Sequence, residues 1–248
     1  MRGDVSLYSN SLYMNELKQL SIPRKIMPKR NFLSNCAVFF DFDNTITPFD
    51  VFDNIVETFA VDKKWMEYES AWKRGEIGSK DCLSGQLKSV KIDKKGLEKY
   101  LAKIKVDPHF KKIIALLKKR GVAPVIVSDS FRFFLEYILK NNGIGPLRIY
   151  ANQIRFSKDR LLPAFPHQHS TCKRCGNCKK KHLPDEGRKE KTVIYIGDGL
   201  SDLCPARHSD IVFAKGSLKR YLTREGKEFF PFETLKDVYA HLSSRIEF

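Results

Sequence analysis

Four short apolar runs, 37–40, 122–127, 193–196 and 211–214, punctuate the chain, and they constrain its fold more than any other feature. Each is of strand length and lacks the polar alternation of a strand with one wet face, so each reads as a strand covered on both sides. Between the runs the apolar period becomes helical. Phe52, Ile55, Val56 and Phe59 fall on one helix face, as do Phe110, Ile113, Ile114 and Leu117, a set at Phe131, Phe134, Leu135 and Ile138, and Leu235, Val238, Tyr239 and Leu242. Strands alternating with helices predict an α/β fold with a doubly wound, Rossmann-like parallel sheet joined by right-handed crossovers.

Boundary signals refine this order. Asp107 suits a helix cap, Pro108 its first turn, and Gly121 its end. Pro124 inside the second run predicts an irregular strand start, and the run stops at Ser128. Strand-like pieces follow over 147–162. Residues 1–35 have little periodicity and carry Pro23 and Pro28, so they read as an N-terminal extension. The expected division is a core of 36–49 and 106–248, interrupted by a small helical insertion over 50–105.

Ligands of an open parallel sheet bind beyond the carboxyl ends of its strands. Three of the runs end there in polar groups: Asp41 and Asp43, then Ser128, then Asp198 with Asp202. These types suit displacement at a phosphate. One carboxylate can attack, a second can move the leaving group's proton, a hydroxyl can donate to a phosphoryl oxygen, and a lysine can neutralise charge. Asp41 and Asp198, with the backbone carbonyl of Asp43, form an oxygen donor set suited to magnesium.

The segments DFDNT at 41–45, VIVSDS at 125–130 and IGDGLSD at 196–202 resemble the first, second and fourth motifs of the haloacid dehalogenase (HAD) superfamily, in the usual order. The resemblance implies a magnesium-dependent phosphatase that passes through an aspartyl phosphate. It assigns Asp41 as nucleophile, Asp43 as acid/base, Ser128 and Thr45 to the phosphate-binding loops, and Asp198 and Asp202 to the metal. The third-motif lysine falls among Lys179, Lys180, Lys181 and Lys191. Lys179 is favoured because it follows Cys178, as in the similar phosphoethanolamine/phosphocholine and methionine-salvage phosphatases. In such relatives an insertion like 50–105 is a cap over the active site, with Asp50, Asp53, Glu57 and Arg74 as candidates to face it.

Asp129, followed by the pair Phe133 and Phe134, is similar to the phosphoethanolamine/phosphocholine branch and implies a contact with substrate. Phe131 stands where that branch has asparagine. The cluster Cys172, Cys175 and Cys178, with His169 close by, offers a possible structural zinc site, the alternative being plain thiols. Candidate substrates are phosphoethanolamine or phosphocholine, the phosphorylated methionine-salvage intermediate, phosphoserine and pyridoxal phosphate.

The net charge of +16 raises nucleic acid as a partner. The lysines are spread along the chain, which favours a solvated surface attracting small anions. Two alternatives remain on residues alone. One is a phosphotransferase of the same fold; the other is a basic interaction module using Lys173, Arg174, Lys179–Lys181, Arg188 and Lys189. No apolar stretch has membrane-spanning length, and charged residues interrupt the first thirty positions, so neither a membrane partner nor secretion is expected. Scattered and tightly spaced cysteines fit reduced thiols in a cytoplasm. The residues carry no signal for an oligomeric state.

Overall fold

The computed structural model of the chain describes residues 32–184 and 191–244. Most of the expected N-terminal extension, residues 1–31, lies outside them, as do Arg188 and Lys189.

Strand β1 (Cys36–Phe40) is central. It carries alternate side chains into two cores: Val38 and Phe40 join one, Phe39 the other. Strand β5 (Thr192–Gly197) does the same with Ile194 and Ile196 against Val193 and Tyr195. A continuous apolar run is therefore what a strand needs when both its faces are dry. With β2 (Val125–Phe131), β3 (Arg148–Ser157), β4 (Arg160–Ala164), β6 (Ile211–Ala214) and β7 (Phe230–Pro231), the sheet has order β4-β3-β2-β1-β5-β6-β7. All neighbours pair in parallel except β3 and β4, an antiparallel hairpin that resolves the strand-like pieces of 147–162.

Helices α1 (Val51–Phe59), α2 (Trp65–Lys73), α3 (Ser79–Ser89) and α4 (Lys94–Leu101) occupy the stretch between β1 and the next core helix. That helix, α5 (Pro108–Lys118), starts as expected: the Asp107 carboxylate accepts from His109 N, Pro108 fills the first position, and Gly121 has a positive φ of 72° just beyond the end. Its Phe110 meets Phe40 edge to face at 5.3 Å. Helices α6 (Arg132–Asn141) and α9 (Leu235–Ser244) cover the same face, whereas α7 (Leu203–Arg207) and α8 (Gly216–Arg224) cover the other. Among the described residues, no helix is long and apolar enough to cross a membrane.

The second strand departs from expectation. It begins after Pro124, runs past Ser128 to Phe131, and shifts register against β3 between Val127 and Phe131. Phe131 accordingly ends the strand instead of opening α6. The irregularity lets Ser128, Asp129 and Ser130 belong to a strand while serving the crevice beside it.

Topology locates that crevice. From β1 the chain moves outward through β2 and β3, then returns across β1 to β5, so β1 and β5 flank the switch point. Phe110→Ala should lower unfolding stability by about 3–5 kcal/mol, because it empties a closed aromatic site under β1. Urea titration gives the loss, and a change under about 1 kcal/mol would show that Phe110 is not a packed part of the core under β1.

Candidate active site

Asp41 follows β1 directly, and its backbone N–H donates to the Ile196 carbonyl at 2.9 Å, binding the ends of β1 and β5. The chain then turns on the Phe42 carbonyl, which accepts from Ile46 N at 2.8 Å, and Asn44 adopts a left-handed φ of 55°. Asparagine tolerates that conformation better than most residues. The turn sets Asn44 Nδ2 at 2.8 Å from one oxygen of Asp198 and Thr45 Oγ1 at 3.0 Å from the other. Thr45, expected in the phosphate-binding set, thus gives its hydroxyl proton to Asp198, and sequence reasoning missed Asn44 as its companion.

Of the four candidate lysines, Lys179 is the one that the fold brings to the acids. Its Nζ lies 2.6 Å from Asp41 Oδ1 and 2.7 Å from Asp202 Oδ1, fully inside the protein, while Lys180, Lys181 and Lys191 are exposed. A 3-10 turn, Lys179–His182, points its successive side chains apart, so one lysine enters. Burial opposes the ammonium charge, yet Asp202, Asp41 and Asp129 outweigh it and raise the lysine's pKa.

Asp202 is fully buried and accepts four hydrogen bonds: from Lys179 and Tyr195 Oη at 2.7 and 2.6 Å on one oxygen, and from Asp198 N and Gly199 N at 3.0 and 2.9 Å on the other. Gly197 permits this closure, since a Cβ there would stand 2.6 Å from Asp202 Oδ2. Tyr195 was hidden in the sequence as one more apolar member of β5.

Asp43 takes Val51 N at 2.9 Å and the Ser128 hydroxyl at 3.4 Å. Burial first, then Asp50, pushes its carboxyl well above the usual range, which suits a proton donor. Asp41 is also pushed upward by burial and by Asp202, with Lys179 opposing. Ser128 is buried, and its Oγ accepts from Ser130 N at 2.9 Å. Asp129 does not cap α6; its carboxylate accepts from Asn177 N at 3.1 Å.

These groups line one cavity of about 120 Å³: Asp41, Asp43, Ser128, Asp129, Lys179 and Asp198 form its floor, and Asp50, Phe52, Asp53, Glu69, Trp72, Ser79, Cys82, Leu83 and Gln86 face them from the α1–α3 side. Of the four residues expected to look in from the insertion, Asp50 and Asp53 do. Glu57 does not line it, and Arg74 pairs with Glu76 at 2.6 Å on the exterior. Glu69, Trp72 and Gln86 were missed, because a polar or aromatic residue on a surface helix carries no signal of which way it faces.

The zinc expectation is not supported. Among the described residues, the ligand atoms that approach within 4.8 Å in a group of three are those of Asp41, Asp198 and Asp202, and no such group comes from Cys172, Cys175, Cys178 and His169. Cys172 is exposed, Cys178 is buried, and His169 Nδ1 is engaged by the Thr171 hydroxyl at 2.9 Å. The loop is instead a mechanical tie. The Arg174 guanidinium donates to Gly75 O at 2.7 Å, Arg174 O accepts from Lys80 N at 3.3 Å, and Gly176 N donates to Ser79 Oγ at 3.0 Å. Gly78 makes the approach possible, since a Cβ there would fall 2.0 Å from Arg174 O. Asn177 completes the tie. Its Nδ2 donates to Ser128 O and Tyr150 O at 2.9 and 2.8 Å, while its Oδ1 lies 2.7 Å from His182 Nε2, whose ring stacks on Tyr150.

The three clustered carboxylates are hard oxygen donors, and Asn44 and Thr45 fix the direction of Asp198, so the set fits magnesium. The Asp43 side chain is outside that trio.

The sheet order, with acids at its switch point, is the fold of the haloacid dehalogenase class. Within that class, residues 36–227 match the family described as Putative Phosphatase, and the chain belongs to it. It is 28% identical over 215 residues to the 2-hydroxy-3-keto-5-methylthiopentenyl-1-phosphate phosphatase of Bacillus cereus (strain B4264), covering 85% of this chain and 97% of that one. The protein of the same name from Geobacillus kaustophilus (strain HTA426) is 29% identical over 206 residues, covering 82% and 93%. A substrate-bound phosphoserine phosphatase structure superposes with TM-score 0.60 at 18% identity, covering 87% of this chain and 99% of that one, which shows the shared fold.

Two predictions follow from the buried charges. Lys179→Met, measured in chelator, should lose about 3–5 kcal/mol of stability, because it leaves Asp41 and Asp202 buried without their cation; an unchanged urea midpoint would contradict this. Separately, burial, His167 and Lys181 push His182 down to about 4, so on acidification the unfolded chain takes up a proton that the folded protein refuses. Stability from this group is present at neutral pH and is lost as pH falls through the ordinary histidine range. Between pH 7 and 5 the wild type should lose about 1 kcal/mol more than His182→Gln, allowing for solvent screening at a half-buried ring. Parallel losses would remove His182 as the cause.

Proposed function

We propose that the chain is a magnesium-dependent phosphomonoesterase that hydrolyses a small phosphorylated metabolite through a phosphoaspartate at Asp41. One observation carries the reading: Asp41 lies at the floor of the cavity with Lys179 Nζ at 2.6 Å, and Asp43, two residues on, has a carboxyl that burial holds toward its protonated form. An Asp41 carboxylate oxygen forms a bond to phosphorus, the P–O bond to the alcohol breaks, and Asp43 gives the departing oxygen its proton. Water then attacks the phosphoaspartate, Asp43 takes a proton back, and inorganic phosphate leaves. Ser128 and Lys179 donate to the phosphoryl oxygens as charge shifts. Asp41 and Asp198, with the Asp43 carbonyl, would hold the magnesium ion, and Asp202 would fix their arrangement. When bound, the ion shields these carboxylates from the phosphate dianion.

In this reading 36–49 and 106–248 form the catalytic core, and 50–105 is a cap that closes over it and excludes water. The curated relatives favour the methionine-salvage intermediate as substrate over phosphoserine, phosphoethanolamine, phosphocholine or pyridoxal phosphate. The cavity's size agrees with a compact alcohol. Six free cysteines suit a reducing cytoplasm.

A panel of phosphomonoesters with magnesium tests the assignment. Asp41→Asn should reduce kcat by about 10⁴-fold, and chelation should abolish turnover until magnesium is restored. Asp43→Asn should lose about 10²–10⁴-fold on an alkyl phosphate. With p-nitrophenyl phosphate, whose leaving group needs no proton, it should release a burst and then stall as phosphoenzyme. Full activity in Asp41→Asn would refute the nucleophile.

A further inference from the structure

Gln86, on α3, is 2% exposed and lines the cavity near Asp53, Glu69, Trp72 and Cys82. Its Oε1 accepts the Cys82 thiol at 3.3 Å, whereas its Nε2 has no partner among the described residues. Burial pushes Cys82 up to about 12, so it keeps its proton and gives it to the amide oxygen, an arrangement that turns Nε2 away from the thiol. A helix position this enclosed would accept leucine, yet it holds a primary amide whose Nε2 has no protein partner among the described residues and stays open to the cavity. The occupant of the cavity is the natural source of an acceptor.

The surrounding charges narrow what that acceptor can be. Glu69 is paired with Lys73, and burial, then Asp50 and Glu69, pushes Asp53 up to about 8, so this end of the cavity holds one neutralised acid and one largely protonated one. No arginine or histidine lines the cavity among the described residues, and its lysine, Lys179, is bound to Asp41 and Asp202. A carboxylate here would meet no free cation. An ammonium would be attracted by the cavity's other acids, Asp50 and Asp129 among them, so Gln86 does not discriminate against it. A neutral carbonyl or hydroxyl oxygen satisfies the amide, and Phe52, Trp72 and Leu83 can cover adjoining carbon.

We propose that Gln86 is a specificity-determining residue. Its Nε2 donates to an uncharged carbonyl or hydroxyl oxygen on the alcohol half of the phosphomonoester, so the site selects carbonyl- or hydroxyl-bearing alcohols over carboxylated or hydrocarbon ones. This rests on the phosphatase reading of the same cavity.

Steady-state kinetics with magnesium on dihydroxyacetone phosphate, propyl phosphate and O-phosphoserine tests it, with p-nitrophenyl phosphate reporting the chemistry itself. The wild type should favour dihydroxyacetone phosphate by about tenfold or more in kcat/KM over each of the other two. Gln86→Leu should bring the preference over propyl phosphate to about twofold or less, chiefly through KM. Gln86→Met, which keeps the length and removes the N–H donors without adding a charge, should do the same, separating hydrogen bonding from packing. A preference that survives in both variants overturns the assignment, as does a wild type that favours phosphoserine or propyl phosphate. Turnover of p-nitrophenyl phosphate without discrimination overturns this proposal and leaves the phosphatase reading standing. No turnover of any ester overturns both.

Discussion

A single ammonium, Lys179, holds together carboxylates that could not otherwise share a dry interior. Removing one ion from water costs several kcal/mol even after relaxation, and here Asp41, Asp198 and Asp202 bring ligand atoms within 4.8 Å of one another. Such a group is tolerable where every oxygen has a donor. Asp202 reaches that condition through Lys179, Tyr195 and two backbone N–H groups, and Asp198 through Asn44 and Thr45. The turn after β1, the glycine at the end of β5 and the tyrosine within it are therefore parts of one electrostatic arrangement. A divalent cation would add charge where one lysine leaves the acids in excess.

Lys179 owes its place to a segment that looks unrelated to catalysis. The cysteine-bearing loop grips the α2–α3 connection through Arg174 and Gly176 and grips the end of β2 through Asn177. His182, one turn on, locks Asn177 from the other side and packs on Tyr150 of β3. The lysine is thus fixed between two anchors, and the helical segment over the cavity is fastened within a few residues of it. The α2–α3 connection and the lysine are held by one loop, through hydrogen bonds and not through the thiols.

The core strands were legible because burial on both faces leaves an unbroken apolar run, and the acids at their ends were legible because polar residues have few other reasons to stand there. Where one residue answers two demands, the pattern fails. Ser128, Asp129 and Ser130 read as the end of a strand because the crevice needs polar groups, yet the backbone continues in the sheet to Phe131. Tyr195 reads as apolar because its ring is, while its hydroxyl completes Asp202. The cysteines misled in the opposite way: close spacing does bring Cys172 and Cys175 together, but no third ligand atom from Cys178 or His169 joins them at metal distance. Lys179 could be singled out from its neighbours by resemblance to relatives; a run of three lysines gives local physics nothing to separate them until the 3-10 turn does.

The contrast between outside and inside bears on how such a site meets its substrate. The cavity is rich in carboxylates, which repel a phosphate dianion, whereas the chain as a whole carries +16. Near the cavity, Lys80, Lys173 and Lys181 line a separate open cleft with His169 and no acidic group. A diffusing anion is drawn by the long-range field of the surface before it meets the carboxylates at short range, where Lys179 is held by Asp41 and Asp202 and the Ser128 hydroxyl faces Asp43. A scattered lysine surface thus fits a small-anion enzyme better than a nucleic-acid module: attraction toward the molecule can be diffuse because the acids and the one lysine sit together at the buried end.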